Sequence, residues 1–254
     1  MLVDVWKRCQ GVNYIHAINE TAWGIIEAQE ITSTRKLVDS FEEQVILEDL
    51  IESNKFKIST ASMNFHPFLY TPFRYPPLEY GSRFGKRTEP SLWYGSLDLY
   101  TAMAEKAYYQ FNFLQASEAI YEMVQVPLTV FSAQIKTTKG IHLTDAPFSD
   151  YTNVISSPTS YEVSQLLGTT MRDARVEAFT YTSARSTGDN INLALFSIDA
   201  FLRKNPDAES FQSWQCTVNN DTIEFARSSA MTSETIRFIL DGFIVNGELP
   251  FSAN

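Results

Sequence analysis

The 254-residue chain is poor in the side chains that most often carry chemistry. It has two cysteines, Cys9 and Cys216, far apart and without metal-ligand spacing. That argues against a disulfide framework and fits a reducing, cytoplasmic setting. Its three histidines, His16, His66 and His142, form no paired motif, so no metal site is expected. There is no G-x-x-x-x-G-K-[ST] loop and no G-x-G-x-x-G turn. The glycine pair Gly81 and Gly85 lies in a proline-rich loop and does not replace either. No run approaches the ~18 apolar residues that suggest a membrane helix, so no membrane association is expected. The start MLVDVWKRCQ lacks a basic segment followed by an apolar one, and no secretory signal is expected. Positive charge is also scarce: 20 Lys and Arg against 30 Asp and Glu give a net charge of −10. Direct nucleic-acid binding through a basic surface is therefore not expected. Arg83, Lys86 and Arg87 form the basic cluster that stands out.

Apolar and aromatic side chains are plentiful. Hydrophobic residues make up 44% of the chain, with 18 Phe and 12 Tyr, enough for a sizeable core. Ala22, Trp23, Ile25, Ile26 and Ala28 are compatible with part of a helix. From Thr32 to Ser53, Leu37, Phe41, Val45, Leu47, Leu50 and Ile51 recur near helical spacing with acidic residues between them. Thr32, Ser33 or Thr34 can cap this helix. Its plainest reading is an amphipathic helix packed on the core with a solvated acidic face. Residues 65–90 carry seven prolines and glycines and cannot form one helix. Ser91–Ser96 reads as a strand, and Asp98–Leu114 as a helix apolar on more than one side, hence buried. Glu122–Lys136 and Ile141–Thr144 read as two strands, and Ser160–Arg172 as a helix. Ala178–Ser183 and Asn192–Ser197 read as strands. Gln212–Val218 and Thr222–Ala226 form a hairpin around Asn219-Asn220-Asp221. The pattern predicts one α+β domain, residues 35–254, with an N-terminal helical extension over residues 1–34.

The densest chemistry lies between Thr71 and Glu105, in TPFRYPPLEYGSRFGKRTEPSLWYGSLDLYTAMAE. Glu105 sits on the apolar helix, where a carboxylate must be paired, hydrogen-bonded or neutralised. It forms a salt bridge there, or it faces a pocket and stabilises an oxocarbenium-like sugar cation. Arg74 and Arg83 can grip phosphate oxygens bidentately, or pair with the many acidic neighbours. Tyr75 and Tyr94 can stack on a flat ring, or simply pack. Ser183, between a strand and the turn SARSTGDN, lies outside any G-x-S-x-G, and no histidine follows it in the chain. A nucleophilic serine is therefore disfavoured. A serine that orients a phosphate, a ribose or an attacking group remains open.

Three blocks, TPFRYPPLEYGSRFG (Thr71–Gly85), LWYGSLDLYTAMAEKAYY (Leu92–Tyr109) and AFTYTSAR (Ala178–Arg185), occur in an order that resembles the RES domain family, named for an arginine, a glutamate and a serine. The motif core spans about residues 71–200. The resemblance implies an ADP-ribosyltransferase-like fold with a central split mixed or antiparallel sheet. It implies a bacterial toxin that breaks the nicotinamide–ribose bond of NAD by phosphorolysis or hydrolysis, that is, an NAD phosphorylase or NAD glycohydrolase. NAD is then substrate rather than cofactor, and inorganic phosphate a possible co-substrate. An Xre-type antitoxin is implied as partner. Carried over by motif, Glu105, Arg83 and Ser183 are the catalytic set, and Arg74, Tyr75, Arg83, Tyr94 and Ser183 bind NAD. Two other readings stand beside this one. The first is transfer of ADP-ribose to a protein or nucleic acid, disfavoured by Met103, where many arginine-modifying transferases carry a second glutamate. The second is a catalytically silent binding module.

Overall fold

Alternating apolar residues in VQVPLTVFSAQIKTTKGIH build the strand that organises the molecule, β3 (Val124–His142). A computed structural model describes residues 3–28, 40–54, 64–75, 77–116, 123–186, 188, 190–228 and 233–250. Within it β3 is one continuous strand rather than two short ones. Pro127 interrupts the alternation but not the pairing, because it stands near the start of the strand, where a missing N–H costs least. Its carbonyl accepts the amide of Ala28 at 2.8 Å.

One edge of β3 is covered by β1 (His16–Glu27), antiparallel from His16 against Gly140 to Glu27 against Leu128. The helix considered for Ala22–Ala28 is thus a strand up to Glu27. Ala22, Trp23, Gly24, Ile25 and Ile26 are apolar at successive positions, so no period distinguishes helix from strand; the long partner decides. The other edge of β3 is shared. Its first half pairs with β6 (Gln212–Val218), and its end runs parallel to β4 (Ala178–Thr182). β4 pairs with β5 (Ile191–Leu195), β5 with β2 (Trp93–Ser96), and β2 returns to β1 at the single pair Ser96–Trp23. The strands β3, β1, β2, β5 and β4 therefore close on themselves. β6, β7 (Thr222–Ser228) and β8 (Ser233–Ile239) extend the sheet outward from β3 as an antiparallel meander. This is an α+β fold with a mixed sheet that divides at β3. The predicted hairpin turn is present: Asn219 Oδ1 accepts the amides of Asp221 and Thr222.

Six helices flank the sheet among the described residues. α1 (Val5–Cys9) precedes β1, and α2 (Phe41–Asn54) starts at a reciprocal cap between Ser40 and Glu43. The caps considered at Thr32, Ser33 and Thr34, and Leu37, lie outside the described residues. α2 does not bury its apolar stripe as expected: Val45, Ile46, Leu50 and Ile51 are exposed. α3 (Pro67–Arg74) opens on Pro67, whose fixed φ suits a first helical turn. α4 (Leu99–Ala116) is capped by Asp98, which accepts the Thr101 amide at 2.8 Å. α5 (Thr152–Ile155) and α6 (Glu162–Asp173) follow β3. Met103, Ala104, Ala107, Tyr108 and Phe111 bury one side of α4 against Leu128, Trp214, Ile223, Phe225 and Phe238 of the extended sheet. No helix among the described residues is long and apolar enough to cross a membrane.

Candidate active site

Opposite its packed side, α4 turns Ala102, Glu105, Lys106 and Tyr109 toward a cavity that opens to solvent. Spacings of three and four residues place these side chains on one face. The floor comes from the sheet. Trp23, Ser96, Asn192 and Tyr181 are register partners across β1, β2, β5 and β4, so one cross-strand row lines the cavity. Arg83, Tyr94 and Tyr161 complete the wall.

Glu105 is the carboxylate among the described residues lining this cavity. Its Oε1 accepts from Ser183 Oγ at 2.8 Å and from Asn192 Nδ2 at 2.6 Å. The backbone amide of Arg185 donates to Ser183 Oγ at 3.1 Å, which directs the hydroxyl's own proton to Glu105. Ser183 is thus an orienting group. Asn192, only 1% exposed, accepts from Ser96 Oγ at 2.6 Å through Oδ1, which leaves its amide N–H for Glu105. Neither bond uses Oε2 of Glu105.

Arg83 stands at the tip of a tight turn. Gly81 adopts φ +73°, where a Cβ would strike the Gly85 carbonyl. Ser82 and Gly85 then pair backbone to backbone. The Tyr94 hydroxyl bonds Ser82 Oγ at 2.9 Å and accepts the Phe84 amide at 3.3 Å, holding the turn on both sides of Arg83. Burial pushes this phenol up to about 12, so it stays protonated. Gly168 of α6 lets that helix approach the Phe84 carbonyl directly. Arg83 itself is 7% exposed. It donates to the carbonyls of Ser157 at 2.7 Å and Ile155 at 3.5 Å, and lies 4.6 Å over the Tyr161 ring. Burial works against its charge, but the Tyr161 and Tyr181 phenols and the Glu105 carboxylate outweigh it and raise its pKa. Tyr181 is pushed well up by burial, then by Glu105. Tyr109 is pushed up first by the Tyr161 phenol. Lys106 pairs with Glu27 at 2.8 Å.

Of the residues singled out in the sequence, Arg83, Tyr94 and Glu105 line one cavity, and Ser183 bonds Glu105 from behind. Arg74 and Tyr75 are placed elsewhere. Arg74 closes α3 in an ion pair with Glu52 of α2 and does not line this cavity. Tyr75 is exposed on a neighbouring hollow with Pro72, Leu78 and Lys86, which meets the first at Tyr94. Sequence reasoning missed Trp23, Ser96, Tyr161, Tyr181 and Asn192. Ser96 and Tyr181 lie inside the blocks already noted, but nothing in their local sequence marks them.

The chain is similar to known proteins at the level of family. A family profile described as the RES domain matches residues 59–219, while no curated protein matches. That profile spans the Arg83 turn, Tyr94, α4 with Glu105, and the strands that bring Ser183 and Asn192 to it. The chain belongs to the RES domain family, a family of toxin-like, NAD-related domains associated with toxin–antitoxin systems.

Proposed function

We propose that this cavity takes the nicotinamide riboside end of NAD and that the protein breaks the bond between nicotinamide and ribose. The observation that carries the reading is Glu105: an oriented carboxylate in a cavity walled by Trp23, Tyr94, Tyr109, Tyr161 and Tyr181. The pyridinium ring of NAD is a flat cation, and aromatic faces attract such a ring. As the C1′–N bond breaks, its electron pair leaves with nicotinamide, which departs neutral and needs no proton. Positive charge moves onto the ribose, where Glu105 stabilises it. One carboxylate then suffices where O-glycoside cleavage usually needs two. A phosphate or water oxygen forms the new bond to C1′, and water's surplus proton goes to solvent. Arg83 supplies positive charge at the wall, on the side suited to the anionic part of the substrate. Tyr94 holds Arg83 in place, and Ser183 holds Glu105.

ADP-ribosyl transfer to arginine has less support. Met103, two residues before Glu105, is fully buried in the core on the opposite side of α4. As a member of its family, the chain is proposed to act as the toxin of a pair whose antitoxin is of the Xre type.

Purified protein incubated with NAD, with and without inorganic phosphate, is expected to release nicotinamide. ADP-ribose is the expected co-product in water, and its 1″-phosphate in phosphate. NAD left intact under both conditions overturns the reading. Glu105→Gln keeps the shape and the Oε1 acceptor but removes the charge. It is expected to lower kcat by about 100-fold or more while near-ultraviolet circular dichroism stays unchanged.

A further inference from the structure

Asn192 is a buried amide in a strand whose next three residues, Leu193, Ala194 and Leu195, are fully buried and apolar. A side chain of leucine size would fill such a position without the cost of desolvating an amide. Both ends of the amide are instead committed. Oδ1 takes the Ser96 hydroxyl, and Nδ2 gives its proton to Glu105, each at 2.6 Å. Ser96 and Asn192 are direct partners across β2 and β5, so the register of the sheet sets their separation. The next partner in the row, Tyr181 on β4, lines the same cavity.

We propose that Asn192, oriented by Ser96, is a positioning residue for the reaction. It presents an N–H to Oε1 of Glu105 and so fixes the carboxylate with Oε2 left for the ribosyl cation. The proposal rests on the NAD-cleaving reading above. Ser183 reaches the same oxygen from the loop after β4, while Asn192 reaches it from the middle of the sheet. A loop serine alone leaves the carboxylate one bond about which to swing. Two donors from separate elements define its plane. An amide has a donor end and an acceptor end, and the Ser96 hydroxyl on Oδ1 reinforces the choice that the carboxylate makes. The flipped amide would set Oδ1 against Oε1, oxygen against oxygen.

Asn192→Asp tests this, because it keeps the shape and replaces the donor by an acceptor. At neutral pH two adjacent carboxylates repel each other, and one of them has a strongly raised pKa. As pH falls through that value one proton enters the pair, and an O–H donor to Glu105 is restored. The other charged and titratable groups facing the pair are Arg83, Tyr94, Lys106, Tyr109, Tyr161 and Tyr181. The phenols of Tyr94, Tyr109 and Tyr181 and the Arg83 guanidinium are all shifted upward, away from the acid range.

The experiment compares kcat and KM for NAD between pH 5 and 8 in wild type, Asn192→Asp and Ser96→Ala. Asn192→Asp is expected to lose about 30–100-fold in kcat at neutral pH, with KM moving less than about threefold. It should recover at least about tenfold of that loss relative to wild type as pH falls. Ser96→Ala, a milder change, is expected to lose about 5-fold in kcat with no such recovery. Wild type that leaves NAD intact overturns the functional reading, and this inference with it. An active wild type beside a fully active Asn192→Asp overturns the inference alone. So does a loss in that variant that is equal at every pH, since a packing role would give that result. If Asn192→Asp does not fold, Ser96→Ala decides: unchanged kcat overturns the inference, and the stated loss at unchanged KM supports it.

Discussion

At the scale of single residues, partners decide which charges belong to the site. Arg74 and Arg83 are alike in the sequence, each an arginine beside an aromatic residue in a glycine- and proline-rich stretch. Arg74 pairs with Glu52, whereas Arg83 stands in the cavity wall on two carbonyls with Glu105 close enough to favour its charge. Arg74→Ala is therefore expected to leave NAD consumption within about twofold of wild type; a tenfold loss in kcat/KM would bring Arg74 into the site. Tyr94 acts on Arg83 through its hydroxyl. Tyr94→Phe keeps the ring and leaves the Phe84 amide without its partner, at a cost of about 1–3 kcal/mol. Urea denaturation measures that loss, and a change under about 0.5 kcal/mol would show that the turn does not depend on the phenol.

At the scale of elements, α6 seats the Arg83 turn. Gly168 brings that helix so close to Phe84 that an added Cβ would lie 2.0 Å from a backbone oxygen. Backbone cannot rotate aside as a side chain can, so Gly168→Ala must push α6 and the turn apart. The expected cost is about 1–3 kcal/mol with a fall in activity. Thermal unfolding and NAD turnover together check it, and an unchanged Tm would refute the contact. α4 shows how one helix serves two purposes. Its apolar positions were legible as a buried helix from their spacing, and so was the oddity of Glu105 among them. Which side Glu105 faces was not legible, because α4 is apolar on more than one side. α2 shows the opposite case: helical periodicity located the helix, but Val45, Ile46, Leu50 and Ile51 are exposed in the fold.

At the scale of the whole molecule, an acidic chain keeps its charge balance through local pairs. Burial works to raise the pKa of Glu27, but bonds and charge from Lys106 outweigh it, and the value falls. Glu177 follows the same pattern with Lys139 and Thr137. A carboxyl whose folded pKa is lowered adds stability above its unfolded value of about 4.3, and that stability is lost as pH falls through the folded value. Glu27 is more than half exposed, so its contribution is small, under about 1 kcal/mol. Lys106→Met is accordingly expected to reduce stability by less than about 1 kcal/mol at pH 7, with the difference from wild type shrinking as pH falls below about 4. A difference that does not shrink in acid would assign the effect to packing of the Lys106 stem.

The sequence alone determined the α+β class, the buried helix with Glu105, and the hairpin at Asn219. Each of these depends on local chemistry: apolar spacing, a cap, or an Asn-rich turn. It also marked Arg83, Tyr94, Glu105 and Ser183, because they stand in ordered motifs. Only the tertiary structure decided that Trp23, Ser96, Asn192 and Tyr181 form one row beneath Glu105, and that Arg74 belongs to Glu52. Those relations follow from the strand order β1-β2-β5-β4 and from helix packing across the chain. A side chain's partner in a sheet is set by register between distant segments, and the identity of Asn192 carries no trace of the Ser96 and Glu105 that give it a purpose.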